Sequence, residues 1–330
     1  DTRAGYEYDI PAYWRQYDRE YPQETTKWYL EDTLSFAGVS LTLGLKQFLV
    51  DVERRDLFGD ADDADLNSDS DVLLSGGVVW ETPVEGLELF AGYAENFKAL
   101  GDLILERPLS DFVDLEPETA ENIDLGVRWV LDRITFAFTY YTIEFNDRII
   151  FLSAETDAGP DYLIGTNGTY FNAGGVDSEG VELSGTVDFH ESFSMYFAYT
   201  NTDATYLGTG DDLVDGAVGI TPGNKVTGTP EEMFVLSFDF SRGPFYGGIT
   251  GKYTGERPIT LDNEWVAEDY TLLDLYAGVS GDDVGGIFRG LDLRLVINNL
   301  TNESYLGGIS GQGAWIGAPR TASLSLTMDF

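Results

Sequence analysis

The chain has 330 residues, with 58 Asp and Glu against 19 Lys and Arg, so its formal net charge at pH 7 is −39. This surplus of negative charge repels phosphate backbones and argues against nucleic-acid binding. Because the chain has no cysteine and one histidine, His190, disulfide frameworks and multi-histidine metal centres are excluded, and a serine–histidine catalytic device is disfavoured.

Apolar and polar residues alternate along most of the chain, which is the pattern of a β-strand with one apolar face. In residues 291–298, for example, Leu291, Leu293, Leu295 and Ile297 share one face. The same periodicity predicts about thirteen strands, near 24–35, 39–53, 71–82, 86–98, 120–131, 133–150, 170–188, 191–204, 229–240, 244–256, 267–280, 288–300 and 319–330.

The connections between these strands alternate in length. Short ones lie near 37–38, 82–85, 131–132, 189–191 and 241–243, and long ones near 54–70, 99–119, 151–169, 205–228, 257–266 and 301–318. An outer-membrane β-barrel sorts its connections in this way, with tight periplasmic turns and long extracellular loops. Many of the strands also reach the roughly 9–11 residues that a tilted strand needs to cross a bilayer. We therefore predict an all-β, antiparallel transmembrane β-barrel.

Aromatic residues and the last strand support the same architecture. Rings that suit the lipid headgroup level gather near strand ends, namely Trp28, Trp80, Tyr93, Trp129, Tyr140, Tyr199 and Tyr253. The last strand places Leu324, Leu326, Met328 and Phe330 on one face. A chain that ends on an aromatic residue after such alternation resembles the signal read by the outer-membrane barrel assembly machinery. Ordinary strand aromatics and a soluble edge strand are the alternatives.

Five motifs in chain order resemble those of the C-terminal barrel of TonB-dependent outer-membrane receptors. They are YAENFK at 93–98, LEPETAENIDLG at 115–126, NAGGVDSEGVE at 172–182, VINNLTNESY at 296–305 and GAPR at 317–320, which precedes the strand ending at Phe330. Each motif is weak by itself. Together they extend the resemblance from about residue 24 to residue 330.

The resemblance implies a barrel of about 22 strands closed around an N-terminal plug domain. Residues 1–23 are then expected to form an extracellular loop, and 24–330 to form the C-terminal part of the barrel, with the plug absent from this chain. Because an odd number of strands cannot close an antiparallel barrel, we expect the remaining strands and the plug from an omitted N-terminal part or another chain. Other expected partners are the TonB–ExbB–ExbD complex, lipopolysaccharide, outer-membrane lipids and the barrel assembly machinery.

The implied function is TonB-coupled active uptake, most often of a ferric siderophore, across the outer membrane of a Gram-negative bacterium. Aromatic faces and guanidinium groups on extracellular loops suit a bulky, often anionic iron chelate. The candidates are Tyr13, Trp14, Arg15, Tyr17, Arg54, Arg55, Phe97, Lys98, Tyr170, Trp265 and Trp315. For each of them, loop packing is the alternative role.

An acidic run on the second predicted loop is the densest charge feature. Its carboxylates could hold Ca²⁺, which prefers oxygen ligands, and they belong to Asp60, Asp62, Asp63, Asp65, Asp69 and Asp71. The run lacks the central glycine and the closing glutamate of an EF-hand, so a solvated acidic loop is the alternative. No other cofactor is expected, and the transported iron chelate would be the ligand.

Other functions stay open at this point. The same fold could take up a vitamin or a carbohydrate with TonB, or act as a passive outer-membrane porin. A soluble adhesin would leave the sorted loops unexplained. We expect no enzymatic activity, because the chain lacks an evident acid–base pair and His190 is predicted in a periplasmic turn, where it has no assigned role.

Overall fold

The protein is described here by a computed structural model, which covers residues 18–57, 63–101, 104–105, 115–152, 155–156, 159–160, 169–172, 174–209, 215–216, 219–310 and 313–328. The candidate residues Tyr13, Trp14, Arg15, Tyr17, Asp60, Asp62 and Phe330 lie outside these ranges. Within them, no helix is long and apolar enough to cross a membrane.

Thirteen long strands form one antiparallel sheet in which each strand pairs with the next along the chain. They are β1 Gln23–Phe36, β2 Val39–Asp56, β3 Leu73–Glu81, β4 Leu87–Lys98, β5 Glu118–Leu131, β6 Ile134–Asn146, β7 Gly175–His190, β8 Phe193–Leu207, β9 Glu232–Arg242, β10 Phe245–Thr254, β11 Tyr270–Ser280, β12 Leu291–Asn298 and β13 Thr321–Met328. The predicted fold class is confirmed, and each predicted strand corresponds to one of these.

Backbone pairing gives the sheet a consistent register and therefore two defined faces. Leu293 faces Leu326 across β12 and β13, and Leu295 faces Leu324. We call this side the outer face. Followed strand by strand through the register, it carries all seven aromatic residues that the sequence places at a girdle. The opposite, inner face carries Ser, Thr, Tyr and charged residues, as a lumen requires.

Glycines on the inner face seat aromatic rings of the neighbouring strand. A Cβ on Gly278 would collide with the ring of Tyr246, and one on Gly126 would collide with Phe90. Tyr246, held flat over Gly278, donates a hydrogen bond from its hydroxyl to Asp292, with both carboxylate oxygens at 2.8 Å. The rings therefore lie against the wall instead of projecting into the interior.

Several predicted strand ends were placed wrongly, among them the start of β7, which lies at Gly175 and not at residue 170. Positive backbone φ angles explain two of the others. β6 ends at Asn146, not at residue 150, because Asp147 adopts φ 55°. Residues 149–152 instead pair with 169–172, outside the barrel sheet. β12 begins at Leu291 rather than near 288, because Gly290 has φ 79°. The long connection predicted at 54–70 starts later, since β2 continues to Asp56 and Ala64–Asn67 pairs back against it.

The described sheet has two free edges, β1 and β13. Every residue of both strands is exposed, including the assembly-signal residues Leu324, Leu326 and Met328. In the interior of the sheet the burial pattern is mixed, because each strand is covered by its two neighbours. The edges therefore offer unpaired backbone groups to a further strand on each side.

Candidate functional site

At the end of the sheet that carries the long connections, these connections fold into packed clusters. One cluster joins Val50 and Val52 of β2 to Ala64 and Leu105, and Phe48, Leu66 and Phe97 pack against it. A second joins Leu100 and Ile104 and contacts Tyr170. A third joins Val176, Tyr206 and Ile220. Apolar burial of this kind holds the described parts of the long connections in place, and we call these described parts the rim.

The adjacent arginines Arg54 and Arg55 have opposite environments. Arg54 lies on the inner face, is 7% exposed, and donates a hydrogen bond from Nη1 to the carbonyl oxygen of Leu105. Arg55 lies on the outer face, where its Nη2 is 2.6 Å from Oε2 of Glu53. Arg54 thus holds the loop that covers it, and this observation supports the packing alternative rather than direct ligand contact.

Phe97 and Lys98, at the end of β4, also differ in whether a ligand could reach their side chains. The ring of Phe97 stacks on Phe48 with centroids 5.9 Å apart. The ammonium group of Lys98 pairs with Glu118, with Nζ 2.6 Å from Oε2, while the Lys98 side chain stays largely exposed. Of these two candidates, Lys98 keeps a charged group that a ligand could reach.

Tyr170 sits on a short strand above the barrel wall and packs against the Leu100 and Ile104 cluster. The neighbouring Asn172 links three segments of the rim. Its Oδ1 accepts a hydrogen bond from the backbone of Glu116 at 2.8 Å, and its Nδ2 donates to the carbonyl oxygen of Asp147 at 2.7 Å. Tyr170 is therefore positioned by its surroundings.

Trp265 and Trp315 present their rings to solvent, at 68% and 60% exposure. Their two loops are in direct contact, because Arg257 of one donates a hydrogen bond from Nη2 to the carbonyl oxygen of Leu306 in the other, at 2.5 Å. Arg257 also lies over the ring of Tyr270, with Cζ 5.4 Å from the centroid. Neighbouring loops thus carry two exposed indoles, which suits stacking on a flat ligand.

The rim contains two further cations, Arg257 and Lys225, that are not among the candidates predicted from the sequence. Lys225 Nζ lies 2.9 Å from Asp203 and 2.7 Å from Glu231. Burial alone would lower the pKa of Lys225, but hydrogen bonds and charge from Glu231 and Asp203 outweigh it and raise that pKa above its ordinary value. Nothing in the local sequence marks either residue except that cations are rare in this chain.

Asp262 fixes the turn that precedes Trp265. The hydroxyl of Thr260 donates a hydrogen bond to Oδ1 of Asp262 at 2.5 Å, and the backbone N–H of Glu264 donates to the same oxygen at 3.0 Å. These hydrogen bonds stabilise the ionised carboxylate and lower the pKa of Asp262 below its ordinary value, and the bond from Thr260 has the largest effect. The ionised carboxylate therefore helps to hold the loop that presents Trp265.

The described aspartates of the acidic run bind different backbone groups and line two different clefts. Oδ1 of Asp63 accepts a hydrogen bond from the backbone N–H of Asp56, and Oδ1 of Asp69 accepts one from Val50, each at 2.9 Å. Asp63 and Asp65 line a cleft of about 840 Å³, whereas Asp69 and Asp71 line another of about 580 Å³. Among the residues that the structure covers, no three acidic, histidine or cysteine side chains converge on one metal position. Calcium binding stays a prediction.

Comparison with known proteins gives consistent results. The family described as TonB dependent receptor-like, beta-barrel, matches residues 1–300. The ferrioxamine B receptor of Salmonella typhimurium is 24% identical over 97% of this chain and 43% of its own length. Among solved structures, the ferric citrate transporter FecA superposes with a TM-score of 0.75 at 17% identity, covering 95% of this chain and 46% of that one.

A second solved structure, the siderophore receptor PiuA from Acinetobacter baumannii, superposes with a TM-score of 0.73 at 21% identity, covering 94% of this chain and 44% of that chain. At these identities the structural likeness concerns the fold. The chain spans less than half the length of these relatives.

Proposed function

The chain belongs to the TonB-dependent receptor-like β-barrel family, and we propose that it forms the C-terminal wall of an outer-membrane receptor that takes up a ferric siderophore. In this proposal the short turns face the periplasm and the long connections face the outside of a Gram-negative cell. Uptake is driven by the TonB–ExbB–ExbD complex. The receptor binds and moves its ligand without chemical conversion, so it is not an enzyme.

The single observation that carries this proposal is the register of the thirteen long strands in one antiparallel sheet. It separates an apolar outer face, which suits lipid, from a polar inner face, which suits a lumen, and so supports a transmembrane barrel. Unpaired backbone groups cost several kcal/mol each in hydrocarbon, so the edges β1 and β13 cannot face lipid unpaired. We assign their partners to N-terminal barrel strands, with a plug domain filling the lumen.

The rim supports the choice of ligand class. Exposed indoles at Trp265 and Trp315 offer flat apolar faces, and Lys98 offers a positive charge in a chain that is otherwise strongly acidic. Relatives named for ferrioxamine B and ferric citrate make these two chelates the natural first probes. Lipopolysaccharide and outer-membrane lipids would surround the outer face, and the barrel assembly machinery would insert it.

The test is iron uptake by the full-length receptor. A strain that lacks its own siderophore receptors expresses the protein, and accumulation of radioactive iron is followed with ferrioxamine B and with ferric citrate. We expect saturable uptake of at least one iron chelate in cells with TonB and none in an isogenic strain without TonB. An empty vector provides the background.

The alternatives give different results in the same assay. Uptake that is equal with and without TonB, and that does not saturate, would identify a passive porin. If expression of the receptor does not depend on the iron concentration and no iron chelate of a panel is taken up, the ligand would instead be a vitamin or a carbohydrate. Either outcome would overturn the siderophore proposal and leave the barrel assignment intact.

A further inference from the structure

One connection at the short-turn end differs from its neighbours. The other connections at this end are tight turns, such as those between β1 and β2 and between β9 and β10. Between β11 and β12 the chain instead makes a helical turn, Gly281–Val284, and a 3-10 turn, Gly286–Phe288, before β12 begins at Leu291. The tight turns at this end show that a few residues are enough to reverse the chain, so the extra length of this segment has another role.

This segment has a defined shape. Gly281 is buried so closely under the backbone of Phe288 that any side chain there would collide with the Phe288 carbonyl. The carboxylate of Asp282 accepts a hydrogen bond from the backbone N–H of Gly290 at 2.8 Å, which closes the segment at its base. Gly285 and Gly286 adopt φ angles of 77° and 64°, which other residues rarely reach. We call the segment from Gly281 to Gly290 the β11–β12 cap.

The cap presents apolar side chains at its tip. Ile287 is 89% exposed, the highest value among the large hydrophobic residues of the described chain. Val284 and Phe288 beside it are about half exposed. Exposure of three such side chains to water is unfavourable, and transfer of each one to an apolar environment would lower the free energy.

The strands that flank the cap differ from most others in the outer-face residues that they carry at this level. At the short-turn end, aromatic residues lie on the outer face of β1, β3, β5, β8, β9 and β10, namely Phe36, Trp80, Trp129, Phe193, Phe240 and Phe245. Aliphatic residues lie there on β2 and β4, at Val39 and Leu87, and within the described residues on the three consecutive strands β11, β12 and β13, at Val279, Leu291 and Met328. Val279 and Leu291 lie on the outer face and flank the cap, so its exposed apolar tip adjoins the outer face beside strands that have no aromatic residue there within the described part of the chain.

We propose that the tip of the β11–β12 cap, Val284, Ile287 and Phe288, inserts into the headgroup–acyl boundary of the periplasmic leaflet. There it lies at the level where β11 and β12 carry no aromatic residue on the outer face within the described part of the chain. Apolar and aromatic side chains at this depth anchor a barrel against vertical displacement. This inference rests on the proposed function for the orientation of the barrel. The molecules that cover the apolar tip of the cap are then phospholipids.

The chain has no cysteine, so single labels can be placed cleanly. In the full-length receptor, with any cysteine elsewhere replaced, Ile287→Cys carries a nitroxide in nanodiscs of phosphatidylethanolamine and phosphatidylglycerol. Its collision rates with oxygen and with a water-soluble nickel chelate are measured by electron paramagnetic resonance. Ile249→Cys, on the outer face of β10, is the lipid reference, and Glu191→Cys, in the turn between β7 and β8, is the aqueous reference.

We expect the ratio of oxygen to nickel collisions at residue 287 to lie at least threefold above that of residue 191 and to approach that of residue 249. A ratio equal to that of residue 191 would overturn the inference, as would low collision rates with both reagents, which would indicate a protein partner or a second copy. If residue 249 itself behaves as aqueous, the membrane orientation in the proposed function fails instead. The two failures are therefore distinguishable.

Discussion

Phe238 provides the most direct test of which face of the sheet meets lipid. It lies on the outer face near the middle of β9, paired with Met195 of β8 on one side and Ile249 of β10 on the other. Arginine at a lipid-facing position near the bilayer midplane costs about 2–4 kcal/mol. Since about 1.4 kcal/mol corresponds to a factor of ten, Phe238→Arg should lower the folding equilibrium constant about 30-fold to several hundred-fold.

The adjacent residue supplies a matched control. Ser237 lies on the inner face, where its hydroxyl is within 2.9 Å of Thr250, and an arginine there would face Asp239 and the lumen. Ser237→Arg should therefore cost about 1 kcal/mol, the contribution of one hydrogen bond. Phe238→Leu controls for the lost ring.

The assay compares the amount of heat-modifiable, folded receptor in outer membranes and its unfolding by denaturant. Equal folding of Phe238→Arg and wild type, or a greater loss with Ser237→Arg, would refute the assignment of the faces.

Three further predictions follow from the wall and the rim. Gly278→Val should displace the ring of Tyr246 and destabilise the barrel by about 1–3 kcal/mol, measured by denaturant unfolding. An unchanged unfolding midpoint would contradict the packing of the Tyr246 ring against Gly278. Arg54→Ala should expose the covering loop to limited proteolysis, whereas Arg55→Ala, which removes an exposed ion pair of about 0–1 kcal/mol, should not. Because the pKa of Asp262 is lowered in the folded loop, its contribution is present above the ordinary carboxyl pKa of about 4 and is lost as the pH falls through the folded value. The protection of residues 259–265 against hydrogen exchange, relative to the intrinsic amide exchange rate, should therefore decrease only at acidic pH, and Asp262→Ala should abolish that step.

The strands were predictable because a membrane barrel repeats one simple rule. Side chains must alternate between lipid and lumen along every crossing, and each crossing must be long enough to span the hydrocarbon. That rule leaves a period-two signal from β1 to β13, so the sheet and its sequential pairing follow from the sequence. The ends were less predictable, because they depend on single backbone conformations such as φ 55° at Asp147.

The rim was much less predictable, since it depends on contacts between loops far apart in sequence. Asn172 joins segments 56 and 25 residues away, and Arg257 bonds a carbonyl 49 residues further along the chain. No periodicity encodes such pairs. Residue type alone selected Trp265 and Trp315, which the structure exposes, and equally Arg54, which it buries.

Arg54 and Arg55 illustrate why the chemistry of a residue is insufficient to identify a ligand contact. The two side chains are identical, but strand alternation sends one inward and the other outward. The inner one then meets Leu105, is buried, and donates to the carbonyl oxygen of that residue. The outer one keeps its water and gains little from Glu53. A cation that recognises a ligand needs the remaining combination, an inner position at the rim without a covering loop. Among the candidate cations that the structure describes, Lys98 with its exposed side chain comes nearest to it.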